Sequence, residues 1–240
     1  WNKRPIGNLR QQEINDIWNG PIAVEIRKSI LNGSFHNCNK ARCPHLLINT
    51  PPVRSRQQVK TELVGAAISN NSSILPYLPL KLNLCFDHSC NLACPSCLSS
   101  VHIAQRNELS RIEKISKILL EQLIPEAKTI TLSGFGDPFA SRAYFNLLRR
   151  INSNDLPLLE QVRLHTNGQL LSEQMWQSLP ELHSLITEIE ISLDAATAAT
   201  YQQNRPGADF AQLLTNLAFL SQQPCRLTLS MVVQSNNWRE

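Results

Sequence analysis

The sequence predicts an α/β protein whose larger part is a series of βα units on a parallel sheet. Three observations point there. From Pro79 onward short apolar strands alternate with amphipathic helical segments, and a parallel strand must return through a crossover. Five such strands can be read. Each strand end is crowded with glycines and polar residues, which is where open sheets and barrels both hold their ligands. A doubly wound sheet and a partial barrel fit this pattern equally.

The first segment, 1–50, is small, irregular and cysteine-containing. Asn19 is placed to cap a helix that begins with Pro21. Ala23, Ile26, Ile30 and Leu31 give it an apolar stripe, and Gly33 stands where a helix ends. "FHNCNKARCPHL" has no period. Residues 51–78 are polar and carry Pro, Ser and Asn, and read as a linker. The βα region is 79–240.

Within it, "LKLNLCF" is the first strand. Ser110 and Glu113 form a capping-box pair ahead of Ile115, Leu119 and Leu123. "KTITLSGFGDP" is a strand running into a glycine turn, and "YFNLLRRI" is helical. "QVRLHTNG" is a strand and turn. Ser172 caps "EQMWQSL", and "EIEISLDA" is the fourth strand. Asp209 caps a helix carrying Phe210, Leu213, Leu214 and Leu217, and "RLTLSMVVQ" is the fifth strand.

Composition excludes some roles. Among 240 residues, 42% are hydrophobic and 18% charged, the balance of an ordinary globular chain. The net charge of +4 is scattered, without the basic, aromatic-studded stripe of a nucleic-acid reader, so no nucleic-acid partner is expected. No apolar run approaches the ~20 residues of a membrane span, and no leader pattern is visible. A cytoplasmic protein without a membrane partner is the expectation.

There are seven cysteines, four of them within "CFDHSCNLACPSC". An odd number in tight clusters reads as metal ligands or redox groups, not as a disulfide framework. Cys90, Cys94 and Cys97 are spaced Cys-x3-Cys-x2-Cys after the first strand. A structural zinc knuckle would need a fourth ligand, Cys85 or His88. A [4Fe–4S] cluster on three cysteines leaves one iron open. Cys85, between Leu84 and Phe86, and Cys225, at a strand start, read as small buried side chains.

"CNLACPSC" resembles the signature loop of the radical S-adenosylmethionine (radical SAM) superfamily, and the resemblance covers about residues 79–240. It implies a partial (β/α) TIM-like barrel of the radical SAM type, ending after the fifth of the six strands the family commonly has. It implies a [4Fe–4S] cluster on Cys90, Cys94 and Cys97, with SAM chelating the open iron. One electron would then cleave the sulfonium, and the 5′-deoxyadenosyl radical would abstract hydrogen from a substrate. The cofactors carry the hard chemistry while the protein positions them. "SGFGDP", Ser133 to Pro138, is similar to the family's glycine-rich motif whose backbone meets the SAM amino group, with Asp137 in place of the commoner glutamate. The resemblance assigns Ser133, Gly134, Gly136 and Asp137 there, Ser192 and Asp194 of "SLDA" to the ribose, Arg205 to the SAM carboxylate and Gln234 to the neighbourhood of the adenine. An electron donor of the flavodoxin or ferredoxin type is implied as partner.

The first segment is similar to the last part of a SPASM domain, which holds auxiliary iron-sulfur clusters in radical SAM enzymes, many acting on peptides or proteins. Cys38 and Cys43 would be two ligands of a second iron-sulfur cluster, with further cysteines upstream of Trp1. A peptide or protein substrate follows by that analogy alone.

Plainer roles stand beside these. Gly134 and Gly136 suit any turn needing positive φ, Asp194 suits a helix start, and Arg205 suits a solvated surface. His165 and Asn167 line a cavity or simply make a turn, since Asn-Gly is a strong turn dipeptide. His36 and His45 read as loop residues, and Trp176 and the leucine stripes as core. The alternative function is a non-catalytic zinc or iron-sulfur module for interaction or electron relay.

Overall fold

The structure, a computed structural model, describes residues 5–41, 43–47 and 62–240. The chain divides into two compact units, Trp1–Pro79 and Leu80–Glu240.

In the first unit, helices α1 (Ile14–Trp18) and α2 (Pro21–Leu31) meet at a sharp turn on Gly20, which is the N-cap of α2. A Cβ at Gly20 would stand 2.3 Å from the Asp16 carbonyl oxygen, so the turn demands glycine. Asn19, expected to cap α2, instead closes α1 and exchanges hydrogen bonds with the backbone of Leu75. Arg27 secures the same corner. Its guanidinium donates to the Trp18 and Ser73 carbonyls and lies 4.1 Å from the Trp18 ring centroid. Gly33, at φ +72°, ends α2 as the sequence implies. Helix α3 is Pro44–Leu47. In the stretch read as a linker, Glu62–Ser69 form helix α4, while 51–61 lie outside the described residues.

The second unit is built on a five-stranded sheet: β1 (Lys81–Leu84), β2 (Thr129–Leu132), β3 (Gln161–Thr166), β4 (Ile186–Ser192) and β5 (Arg226–Ser230). The order is β1-β2-β3-β4-β5 and every pair is parallel. A doubly wound sheet reverses its strand order at a switch point. Sequential order is the barrel's way of winding, so it decides between the two architectures the sequence left open.

The sheet has two unlike faces. Ile130, Leu132, Val162, Leu164, Ile189 and Ile191 are fully buried on one. Their alternates Thr131, Arg163, His165, Glu188, Glu190 and Ser192 are polar and only partly covered or exposed. Register lines these up across strands, with Thr131 beside Arg163, Arg163 beside Glu188, and His165 beside Glu190. A parallel sheet apolar on both faces would be the ordinary outcome. Here the face continuous with the strand-end cavity is hydrophilic.

Helices α5 (Arg106–Ile118), α6 (Arg142–Leu148), α7 (Glu173–Gln177), α8 (Ala198–Asn204) and α9 (Phe210–Leu220) complete the unit. Ser172 and Asp209 cap α7 and α9 as expected, accepting from the Met175 and Gln212 N–H groups. Ser110 and Glu113 do not start a helix. Helix α5 begins earlier, at Arg106, without a side-chain cap. Cys85, expected in the core, is exposed, because it follows β1 on the side of Lys81 and Asn83. Cys225 is half-buried. No helix of the described residues is long and apolar enough to cross a membrane.

Candidate cofactor site at the strand ends

The loop after β1 is fastened from below. Asp87 is buried and its Oδ1 accepts from the backbone N–H and hydroxyl of Ser89, the Asx-type turn that an Asp-x-Ser sequence favours. Its Oδ2 accepts from Ser141, whose hydroxyl also caps α6. The Tyr144 hydroxyl accepts from the Phe86 and Asp87 N–H groups at 2.8 and 2.9 Å. Burial first of all pushes the Tyr144 pKa up to about 12, so it stays a neutral anchor. Ser89 also receives the Ala104 N–H, and Cys90 pairs with His102 as an antiparallel bridge.

From this base the loop carries its cysteines to a cavity of about 260 Å³. Cys90, Cys94 and Cys97 all line it, with Gly134, Gly136, His165, Asn167, Ser192, Asp194 and Arg205 from the later strand ends. Cys94 is buried, Cys90 half-buried and Cys97 exposed. Burial pushes the Cys90 and Cys94 thiols up, opposed at Cys90 by hydrogen bonds from Leu92 and Asn167 and at Cys94 by the Arg205 charge.

The glycine loop is held by Ser133, whose hydroxyl donates to the Phe135 carbonyl and accepts the Phe135 N–H. Ser133 is therefore spent on the loop and does not line the cavity. Gly136, at φ +82°, needs to be glycine because a Cβ would meet the Asp87 carbonyl at 2.5 Å. Gly134 has room, its imagined Cβ meeting only Cys85 Sγ at 3.6 Å. Asp137 is buried behind the wall. It accepts from the Thr166 hydroxyl and the Asn167 and Phe139 N–H groups, tying the β2 and β3 ends together.

Ser192 Oγ is 2.9 Å from His165 Nε2. Asp194 is buried at φ +60°. One carboxylate oxygen takes the Val232 N–H at 2.7 Å, the other pairs with Arg205 Nη2 at 2.8 Å. A ribose hydroxyl there would have to share those oxygens. Arg205, expected to be solvated if it had no site role, is 7% exposed. Gln234 does not line the cavity; its N–H donates to Asn237 Oδ1.

The residues suit an iron-sulfur cluster with an anionic co-ligand better than a zinc knuckle. Among the described residues, the buried side-chain atoms lacking a hydrogen-bond partner are Thr187 Oγ1, Arg205 Nε and Gln234 Nε2. Of these, Arg205 lines the cavity, and an orphaned buried donor there implies a missing acceptor. Cys85 and His88, the alternative fourth zinc ligands, do not line the cavity. Cys85 Sγ instead lies 3.5 Å from Asn83 Oδ1, and His88 packs edge-on against Phe135. No three His, Cys, Asp or Glu side chains among the described residues converge on one ion position.

Cys38 and Cys43 are half-buried in consecutive turns, their N–H groups bonding the Phe35 and Asn39 carbonyls. Of the two sequence readings of His165 and Asn167, a cavity lining or a plain turn, the structure shows the lining. Nothing in the sequence marked the contact of Asn167 with Cys90, nor the roles of Tyr144 and Asn237.

Comparison with known proteins agrees with this reading of the second unit. The family profile of the Radical SAM superfamily matches residues 86–240, more than half of the chain. The chain belongs to the radical SAM superfamily, and membership implies a [4Fe–4S] cluster and S-adenosylmethionine. It is similar to a protein named GTP 3',8-cyclase from Synechococcus sp. (strain CC9605), 35% identical over 48% of this chain and 33% of that one. A protein of the same name from Synechocystis sp. (strain ATCC 27184 / PCC 6803 / Kazusa) is 26% identical over 64% of this chain and 45% of that one. This chain thus spans between a third and a half of the length of those relatives. Among solved structures, Streptococcus suis SuiB bound to S-adenosylmethionine aligns with TM-score 0.49 and 17% identity, over 93% of this chain and 48% of that one. Native anSMEcpe with bound AdoMet aligns with TM-score 0.46 and 24% identity, over 68% and 46%.

Proposed function

We propose that residues 79–240 form a radical SAM catalytic domain, joined through 51–78 to a SPASM-like segment, 1–50. The observation that carries this is the meeting of Cys90, Cys94 and Cys97 with the ends of β2, β3 and β4 around one cavity. When bound, a reduced [4Fe–4S] cluster and SAM would supply one-electron sulfonium cleavage to methionine and a 5′-deoxyadenosyl radical that takes hydrogen from a substrate. The chain's residues bind and orient. Cys90, Cys94 and Cys97 ligate the cluster. Arg205, with its unpartnered Nε, receives the SAM carboxylate while Asp194 holds its guanidinium. The Gly134 to Gly136 backbone would face the amino group and Ser192 the ribose; Gln234, outside the cavity lining, would meet the adenine only at its margin, through its unpartnered Nε2. Leu92, Leu98, Phe135 and Val232 supply the apolar part of the cavity wall. An electron donor of the flavodoxin or ferredoxin type is required. The free state of all seven cysteines fits a reducing compartment such as the cytoplasm.

For the substrate, the polar sheet face supports a molecule with many hydrogen-bonding groups. We favour a peptide or protein, on the strength of the SPASM resemblance of 1–50, whose Cys38 and Cys43 would serve a second cluster. The relatives named GTP 3',8-cyclase support a guanine nucleotide as second reading. The test is anaerobic turnover with dithionite and SAM, measuring 5′-deoxyadenosine and methionine. Both form with the native chain, and Cys94→Ala abolishes them. Stimulation by a peptide library or by GTP separates the two substrate readings. SAM left intact by a fully reconstituted protein counts against the assignment.

A further inference from the structure

The Asn167 side chain does more than turn the chain. Its Nδ2 lies 3.8 Å from Cys90 Sγ and 2.9 Å from Asn91 Oδ1. Its Oδ1 accepts the Gln169 N–H at 2.9 Å, so the amide has one orientation, N–H towards sulfur. The residue is 6% exposed. Its backbone N–H and the Thr166 hydroxyl both donate to Asp137 Oδ2, at 2.8 and 2.7 Å. Asp137 in turn donates its N–H to the Ser89 carbonyl, one residue before Cys90. The donor and the sulfur are thus fixed in one closed circuit of hydrogen bonds through Ser89, Asp137 and Asn167. On the other side Arg205 Nη1 approaches Cys94 Sγ at 3.9 Å, while Cys97 is exposed.

We propose that Asn167 is a positioning residue for the cluster, donating to the Cys90 sulfur and raising the potential at which the cluster accepts its electron. This rests on the radical SAM reading above. The added electron spreads negative charge onto the ligating sulfurs. Burial disfavours that charge, and an N–H dipole aimed at the sulfur offsets it; hydrogen bonds to sulfur are among the levers that set iron-sulfur potentials.

The experiment is a redox titration of the reconstituted chain, without SAM or substrate, followed by electron paramagnetic resonance. Asn167→Ala lowers the midpoint, so the ratio of reduced to oxidised cluster at the native midpoint falls about three- to tenfold, tenfold being about 59 mV for one electron. The isosteric Asn167→Asp, which replaces the donor by a carboxylate, lowers it further. Asn91→Ala keeps the contact to sulfur and leaves the midpoint in place. An unchanged midpoint in a fully loaded Asn167→Ala protein overturns the proposal. So does a pair of Asn167 variants that fold normally by circular dichroism yet take up no cluster while Asn91→Ala does, because the amide would then build the site and not tune it. A native chain that assembles no [4Fe–4S] cluster overturns the functional reading itself, and the inference with it.

Discussion

Asp194 sits at φ +60°, a conformation that costs most side chains energy and that Asp tolerates better than most. Its carboxylate is divided between the Arg205 guanidinium and the Val232 N–H, and its carbonyl receives the Asn204 and Asn237 amides. The Arg205 and Asp194 side chains are 9% and 2% exposed, so the pair is buried. Removing one member leaves the other charge uncompensated. Asp194→Ala is therefore expected to destabilise the second unit by about 3–5 kcal/mol in urea unfolding, and to weaken SAM binding through a displaced Arg205. If stability is unchanged, the pair is not holding the site. The sequence singled out Asp194 and Arg205, but as separate contacts to SAM. That they face each other depends on how β4 and the end of α8 are packed, which no local pattern encodes.

At the scale of elements, the cysteine loop is a device built from three segments. Asp87 on the loop, Ser141 at the α6 N-terminus and Tyr144 one turn further in interlock. Ser141→Ala removes a helix cap, about 1 kcal/mol, and takes a donor from a buried carboxylate, about 1–3 kcal/mol more. The expected readout is a lowered unfolding midpoint together with reduced iron incorporation. Normal iron loading in a destabilised variant would separate the helix from the loop. Caps were legible where the polar residue directly preceded the apolar run, as at Ser172 and Asp209. Ser110 and Glu113 misled because their spacing imitates a cap inside a helix already begun at Arg106. Cys85 misled because alternation places it opposite Leu84, on the sheet face that is polar here.

For the whole molecule, the sequence carried the count of the strands, and most of the residues it singled out at the strand ends line one cavity. Strand ends bring together residues as distant as Cys90 and Arg205, since sequential parallel pairing sets all C-terminal ends on one edge. The alternation of strands and helices did not by itself choose between barrel-like and doubly wound order, because strand neighbours are chosen by long-range packing; the resemblance of the cysteine loop implied the barrel, and the sequential order agrees with it. The polar face was written in the alternation of Arg163, His165, Glu188 and Glu190 with Leu164, Ile189 and Ile191, yet apolar content alone draws the eye to the buried half. The central claim is that three cysteines hold a cluster with an iron open to SAM. Electron paramagnetic resonance of the anaerobically reconstituted, dithionite-reduced chain tests it most directly. The account predicts a reduced [4Fe–4S] signal that changes when SAM is added and is lost in a Cys94→Ala variant. A signal indifferent to SAM, or stoichiometric zinc without any cluster, would contradict it.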